Sequence, residues 1–369
     1  MDAASSTTAR AGVAAWLGLL FCLVFTLNTA GGWVRLSGSG VAIPHWPVIE
    51  RGDGWTVLPP FSEPGWQEMY GQFNEHQERL QARVEAGELT TANLGRQPRD
   101  TDEFRTMFLT EWSHRFLAAL TGVVAAGVLV TALRRRELRQ VAGTPLAVAG
   151  VLILAQAVLG GLLVSQGTST HWLFLHQGNA GLIMASILWA ILRLLGDGKP
   201  LAEGRQGLRW LVGGAMVAIW GQLVLGALVA GSRHNAQGEV QLSLSALPHL
   251  WVASRDLGWN LLDNGWLHLW LHRWWAWGLS MLLAGAFVAA TRTQLGIRGR
   301  LALQVSATFL VLQLIFGFAS AALGALPFLA LGHQALGMCL LLSVVLAWHD
   351  VRYEPSEAVE ATVPPGVPA

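Results

Sequence analysis

His114-Arg115 and His272-Arg273 stand 158 positions apart, and His176-Gln177 and His333-Gln334 stand 157 apart. Imidazole binds haem iron and other transition metals through either ring nitrogen. Each of the four histidines falls inside an apolar run long enough to cross a membrane. The pattern therefore reads as two buried sites, each with two axial-type ligands. Haem is the first candidate, although the spacing alone does not distinguish it from another metal. One histidine in a membrane helix can equally hydrogen-bond a neighbour, but four at a repeated offset argue for paired sites.

Glu111 breaks the symmetry. It lies one helical turn before His114 and shares its face, whereas the second half has Leu269 at the corresponding position. An ionisable residue at membrane depth is a functional candidate, and an acid in a partly dry site suits proton transfer. The bland alternative is a helix-entry acid that caps the span or pairs with Arg115. Arg35, Arg115 and Arg273 flank the histidines. A guanidinium there can pair with carboxylates such as haem propionates or snorkel to headgroups. Trp33, Trp112, Trp172, Trp266, Trp270, Trp274 and Trp275 crowd the same level, where interface anchoring is the expected role. His268, one turn before His272, could line the second site, with packing or solvation the commoner fate. His45, His76, His171, His234, His249 and His349 occupy loops or span ends and are expected to be solvated.

The elements that must position these groups are transmembrane helices. Hydrophobic residues make up 53% of the chain and charged ones 13%, too apolar for an ordinary soluble domain of 369 residues. Eight runs reach spanning length: Val13–Trp33, Met107–Leu133, Thr144–Val164, Trp172–Leu195, Trp210–Ala230, Trp266–Thr291, Leu301–Gly324 and Pro327–Trp348. A net charge of +1 gives no footprint for a nucleic-acid partner. Cys22 and Cys339 both lie within spans, against a disulfide framework or a thiolate metal site. Arg134, Arg135, Arg136, Arg139, Lys199, Arg205, Arg292, Arg298 and Arg300 follow spans two, four and six, which puts both termini in the cytoplasm. The first span lacks a convincing cleavage site and is expected to be retained. A bacterial inner membrane fits better than a mitochondrial one.

Gln156 and Gly160 recur as Gln313 and Gly317, again 157 apart, so spans one to four and five to eight read as two parallel copies of a four-helix bundle. Ala30-Gly31 and Ala230-Gly231 end the first span of each copy and are 200 apart, which assigns 42 extra residues to the first outer loop. The histidines come four to seven residues into their spans, about 6–11 Å below the outer boundary.

At these residues the chain resembles the haem A synthase family, over about Gly31 to Trp348. The resemblance rests on Arg35-Leu36-Ser37-Gly38-Ser39-Gly40, Pro44-His45-Trp46-Pro47, Glu111-x-x-His114-Arg115, His176, His272-Arg273 and His333-Gln334. It implies oxidation of the C8 methyl of haem O to a formyl group through a hydroxymethyl stage. It also implies haem O as substrate between His114 and His176, haem b between His272 and His333, and Glu111 as the essential acid. Ile43 and Ile49 stand where many bacterial members have a cysteine pair, so the loop resembles the mitochondrial-like, cysteine-free subgroup. His45 stands where an aspartate is usual, and the outer loop from Ser232 to Asn264 hardly matches the family.

The expected organisation is a cytoplasmic N-terminus (residues 1–12) and a first half (13–195) with outer loop 36–105 and the substrate haem. A cytoplasmic linker (196–209), a second half (210–348) with haem b and a disordered cytoplasmic tail (349–369) follow. Expected partners are the lipid bilayer, an electron donor, haem O synthase and terminal oxidase assembly factors, with a homo-oligomer left open. The main rival reading is a di-haem b membrane electron carrier serving quinone. It needs the same histidine pairs but neither a one-sided Glu111 nor a long first loop. A transporter built on parallel repeats is a weaker rival, lacking broken helices and polar midplane residues.

Overall fold

The computed structural model describes residues 3–51, 54–89, 94, 96–166, 169–196, 205–232, 250–293, 295–324 and 326–353, with side chains from residue 8 onward. Among them are ten helices: α1 (Ala3–Leu36), α2 (Glu63–Glu85), α3 (Thr101–Arg134), α4 (Arg136–Ser165), α5 (Thr170–Leu195), α6 (Gln206–Ser232), α7 (Leu257–Leu262), α8 (Gly265–Thr291), α9 (Ile297–Ala322) and α10 (Pro327–Arg352). Eight, all but α2 and α7, are long and apolar enough to cross a membrane; seven contain an expected span whole, and the expected Leu301–Gly324 runs two residues past the end of α9 at Ala322. The chain is a multi-pass, all-α membrane protein. In lipid a backbone must satisfy its own polar groups, which makes helices the form such runs take.

The helix contacts have the same order in both halves. α1 meets α3, α3 meets α4, α4 meets α5 and α5 returns to α1; α6, α8, α9 and α10 close the same circuit. The halves join through α5 with α6, α1 with α10, and α5 with α10. α5 and α10 are the most buried of the eight and carry Met184, Ile187, Leu341 and Val344 into the main core. They are also the helices of His176 and His333, so one imidazole of each expected pair hangs from the central helices.

Local chemistry sets several boundaries. The Asp100 side chain accepts from the Glu103 N–H at 2.8 Å and starts α3; Asn264 accepts from Leu267 at 3.1 Å and starts α8. α4 kinks at Ala142 (φ −132°, ψ 15°), just before Pro145. Proline lacks an N–H and clashes with the preceding turn. The membrane part of α4 thus begins where Thr144 was expected to open it.

The first loop, expected to face outward, is folded over its described residues. α3 begins at Thr101, within the span assigned to the loop, and α2 packs on this extension. Val41, Ala42, Ile43 and Ile49 form a second core with Trp66, Met69, Phe73, Phe104, Met107 and Phe108. A two-stranded antiparallel ribbon, β1 (Ile49–Arg51) with β2 (Gly54–Thr56), pairs Ile49 with Thr56. Period-3.6 apolar spacing in α2 (Trp66, Met69, Phe73, Leu80) lies among many charges, which hid it in the hydropathy pattern. His76 on α2 is half-buried rather than solvated. Burial, then the neighbouring charges of Arg79 and His45, push its imidazole below the ordinary range.

Other boundaries shift modestly. α6 begins at Gln206 inside the expected linker, and α10 runs to Arg352 past the expected start of the tail. The expected tail beyond residue 353 lies outside the described residues.

Candidate functional site: two histidine pairs and a one-sided carboxylate

Each of the four histidines faces a glycine on another helix. A Cβ built at Gly31 of α1 would lie 3.2 Å from His114 Nε2, and one at Gly160 of α4 would lie 3.4 Å from His176 Cε1. In the second half, Gly226 of α6 approaches His272 Cε1 at 3.3 Å and Gly317 of α9 approaches His333 Cε1 at 3.0 Å. The imidazoles are therefore seated inside the bundles, and an added Cβ would crowd the ring at Gly31, Gly226 and Gly317 and just touch it at Gly160. Gly31 and Gly226 are 195 apart, not the 200 inferred from the Ala-Gly pairs. Gly231 instead presses on Thr170. α1 and α6 thus align five residues out of the sequence-based register, because a two-residue match is weaker than the requirement for space beside a ring.

The second pair is the better defined. The His272 and His333 ring centroids are 6.1 Å apart with planes at 71°. Two imidazoles brought this close would be the residues to hold an iron porphyrin if one bound in this half. His333 Nδ1 lies 3.1 Å from the Gln313 carbonyl, so this nitrogen carries the hydrogen and Nε2 keeps its lone pair. The Gln313 and Gln222 side-chain amide nitrogens sit 3.3 and 3.4 Å from Nε2 of His333 and His272, and Gln222 also donates to the His272 carbonyl at 2.9 Å. His272 Nδ1 is buried without a partner among the described residues.

In the first half, His114 bonds to the Leu27 carbonyl, and His176 lies in its neighbourhood. Leu27 is 195 positions before Gln222. A backbone group therefore stands where the second half uses an amide. Gln156, the counterpart of Gln313, donates to the His176 carbonyl at 3.2 Å, and its Oε1 accepts from Asn179 at 2.6 Å. His176 Nδ1 is also buried without a partner among the described residues.

Glu111 is fully covered, one turn from His114 and under the outer-loop segment Val41–Pro47. Its Oε2 accepts the Ile43 N–H at 2.9 Å, and its Oε1 pairs with Arg115 at 2.5 Å. Arg115 also donates to the carbonyls of Ile43 at 2.6 Å and His45 at 2.5 Å. The same segment lays the Trp46 ring against Gly161, where an added Cβ would come within 2.9 Å of the indole. Gly161 adjoins Gly160, the seat of His176. Carboxylate, arginine and outer segment therefore form one assembly over the first pair, with no described counterpart in the second half.

A heme A synthase of Paracoccus denitrificans is 28% identical to the chain over 96% of this chain and 92% of its own length. One from Erythrobacter litoralis is 27% identical over 92% and 97%, and one from Parvibaculum lavamentivorans is 32% identical over 60% of each. Residues 14–345 match the COX15-CtaA family model, described as cytochrome oxidase assembly protein. The chain belongs to the haem A synthase family.

Within this family member the three arginines have different situations. Arg115 is held by Glu111 and two carbonyls; the pairing once set against a catalytic role for Glu111 is real. Arg35 donates to the Ala230 carbonyl and ties the end of α1 to α6. Arg273 is half-buried and makes no side-chain hydrogen bond or ion pair among the described residues, so it is the guanidinium best placed to accept a new carboxylate.

His268 is a packing residue of this haem A synthase relative. Its Nδ1 meets Ser232 Oγ at 2.7 Å and its Nε2 the Leu261 carbonyl at 2.9 Å, which leaves neither nitrogen for a metal. His349 is buried, against the expectation of solvation, because it stacks on Tyr353 and bonds Asp350, itself paired with Arg298. His45 pairs with Glu50 at 2.9 Å and His171 with Asp263 at 3.1 Å. His234 and His249 lie outside the described residues. Trp270 is buried rather than interfacial. Sequence reasoning missed Gln222, although a lone amide in the middle of span five was a usable signal.

Gly161→Leu should push the Trp46 ring off α4 and loosen the outer segment over Glu111. Hydrogen exchange at the Ile43 amide is then expected to rise by one or more orders of magnitude while α9 and α10 keep their protection. Unchanged protection at Ile43 would show that the segment is not held by this contact.

Proposed function

We propose that the chain is a haem A synthase, oxidising the C8 methyl of haem O to a formyl group through a hydroxymethyl intermediate. The reading is carried by one observation: two histidine pairs in matching bundles, of which only the first has, among the described residues, a buried carboxylate beside it. Haem O is the substrate held between His114 and His176, and haem b is the resident cofactor between His272 and His333. The domain division follows, with a substrate half at residues 13–195 and a cofactor half at 210–348. The positive loops orient the molecule with both termini in the cytoplasm of a bacterial cell and the sites toward the outer face of the inner membrane.

Bound haem supplies the oxidising power that an unactivated methyl requires. The chain contributes position, dryness and a proton-handling group. Gly31 and Gly160 let the first-pair rings reach the bundle interior, and the surrounding apolar helices leave a long prenyl tail in contact with lipid. Val41–Pro47 covers the site from the aqueous side. Glu111 holds or releases a proton at its Oε atoms next to the substrate, in an orientation set by the Ile43 N–H and Arg115. Arg273 stands ready for a propionate at the second pair.

Haem extraction from purified protein, produced with a haem O supply, tests the reading. A mixture of haems b, O, hydroxylated O and A is expected. Haem b alone would favour the electron carrier instead.

A further inference from the structure

We infer that the segment Trp55–Phe61 of the first outer loop is inserted among the lipids of the outer leaflet and anchors the loop to the membrane. Four large apolar side chains point outward within seven residues: Trp55 is 65% exposed, Val57 65%, Leu58 51% and Phe61 81%. A soluble loop rarely shows so dense an apolar cluster without something to cover it.

The location of the segment selects lipid as the cover. Trp112 on α3 donates its indole N–H to the Val57 carbonyl at 2.7 Å and stacks on Phe116. Phe116, Leu120 and Val123 continue down α3 as exposed apolar side chains, the face of a spanning helix that meets lipid. The segment therefore extends a surface that is already lipid-facing. The aqueous level is marked by Arg105, seven residues nearer the start of α3, which pairs with Glu63 at 2.5 Å. Seven helical residues separate the two levels by about 10 Å, which places Val57 on the lipid side of that ion pair.

The backbone suits such a setting. Unsatisfied peptide groups are costly in lipid. Here the Val57 carbonyl is taken by Trp112, the Leu58 N–H donates to Thr56 Oγ1 at 3.0 Å, and Pro59 and Pro60 carry no N–H. The segment begins within β2, whose partner β1 follows the Val41–Pro47 strap over Glu111. An anchor here would hold that strap against α3.

Site-directed spin labelling in liposomes tests the inference, using full-length protein with Cys22 and Cys339 replaced by Ala. Single cysteines at Leu58 and Phe61 are compared with a lipid-facing control at Val123 and an aqueous control at Glu78 on α2. Power saturation is measured with oxygen and with a water-soluble nickel chelate. The expected oxygen-to-nickel ratios at Leu58 and Phe61 approach that at Val123 and exceed that at Glu78. Ratios equal to Glu78 would overturn the inference. So would labels shielded from both reagents with spin–spin broadening, since that marks contact with a second copy of the chain. Because all four positions are exposed, the labels leave the core intact, and an unchanged thermal transition for each variant verifies this.

Discussion

Glu111→Gln should keep both haems and lose the formation of haem A. Glutamine matches the shape of glutamate and can still accept the Ile43 N–H, so the cover over the first pair should persist. What disappears is the exchangeable proton of the carboxyl. Removing a positioned acid–base group costs about 10²–10⁴-fold in rate. Haem composition, measured on extracts alongside the visible spectrum of the intact protein, separates the two effects. A variant that produces haem A at the wild-type rate, with both haems bound, would remove the acid–base role. Arg115→Met makes the contrasting case. It leaves a buried carboxylate with backbone donors alone, and breaking such a pair costs about 3–5 kcal/mol. Both variants break this pair and should lower the thermal transition, but Arg115 keeps its two carbonyl contacts in Glu111→Gln, so the larger drop is expected in Arg115→Met.

His333→Ala should have the other large effect: release of the second-site haem. His333 is the more firmly oriented ring of its pair, with Nδ1 on the Gln313 carbonyl and Gly317 against its edge. Under the proposed function its loss would remove one of the two imidazoles that hold the second haem and leave a cavity beside the other. The haem-to-protein ratio of preparations loaded at both sites should fall by about half, with loss of the six-coordinate spectrum of that site. His272→Ala should act in the same direction but less severely, since His272 Nδ1 has no described partner to fix the ring. His268→Ala should leave the spectrum intact, because both its nitrogens serve the packing of α8 against Ser232 and Leu261. Full haem retention in His333→Ala would refute iron ligation by this residue.

Hydropathy alone was enough to locate all eight spanning helices, since a span needs only length and apolar content. The histidine offsets were equally legible, because a duplicated bundle repeats its buried polar residues at one interval. Less local features were not. The register between α1 and α6 depends on which glycine leaves room for a ring, and a side chain from another helix decides that. The folded outer loop escaped notice because α2 is short of apolar residues and buries them against α3, a partner visible only in three dimensions.

Glu111 shows the division most clearly. Its place one turn before His114, and its absence from the second half, follow from the order of residues along the chain. That it sits beneath a strap, fixed by the Ile43 amide and by an arginine with two further carbonyl contacts, required the chain to return across roughly 70 residues. Local order determines the helices because those depend on neighbours within a few turns. The tertiary fold decides which polar atoms meet, since a buried donor takes whatever acceptor the packing brings within reach.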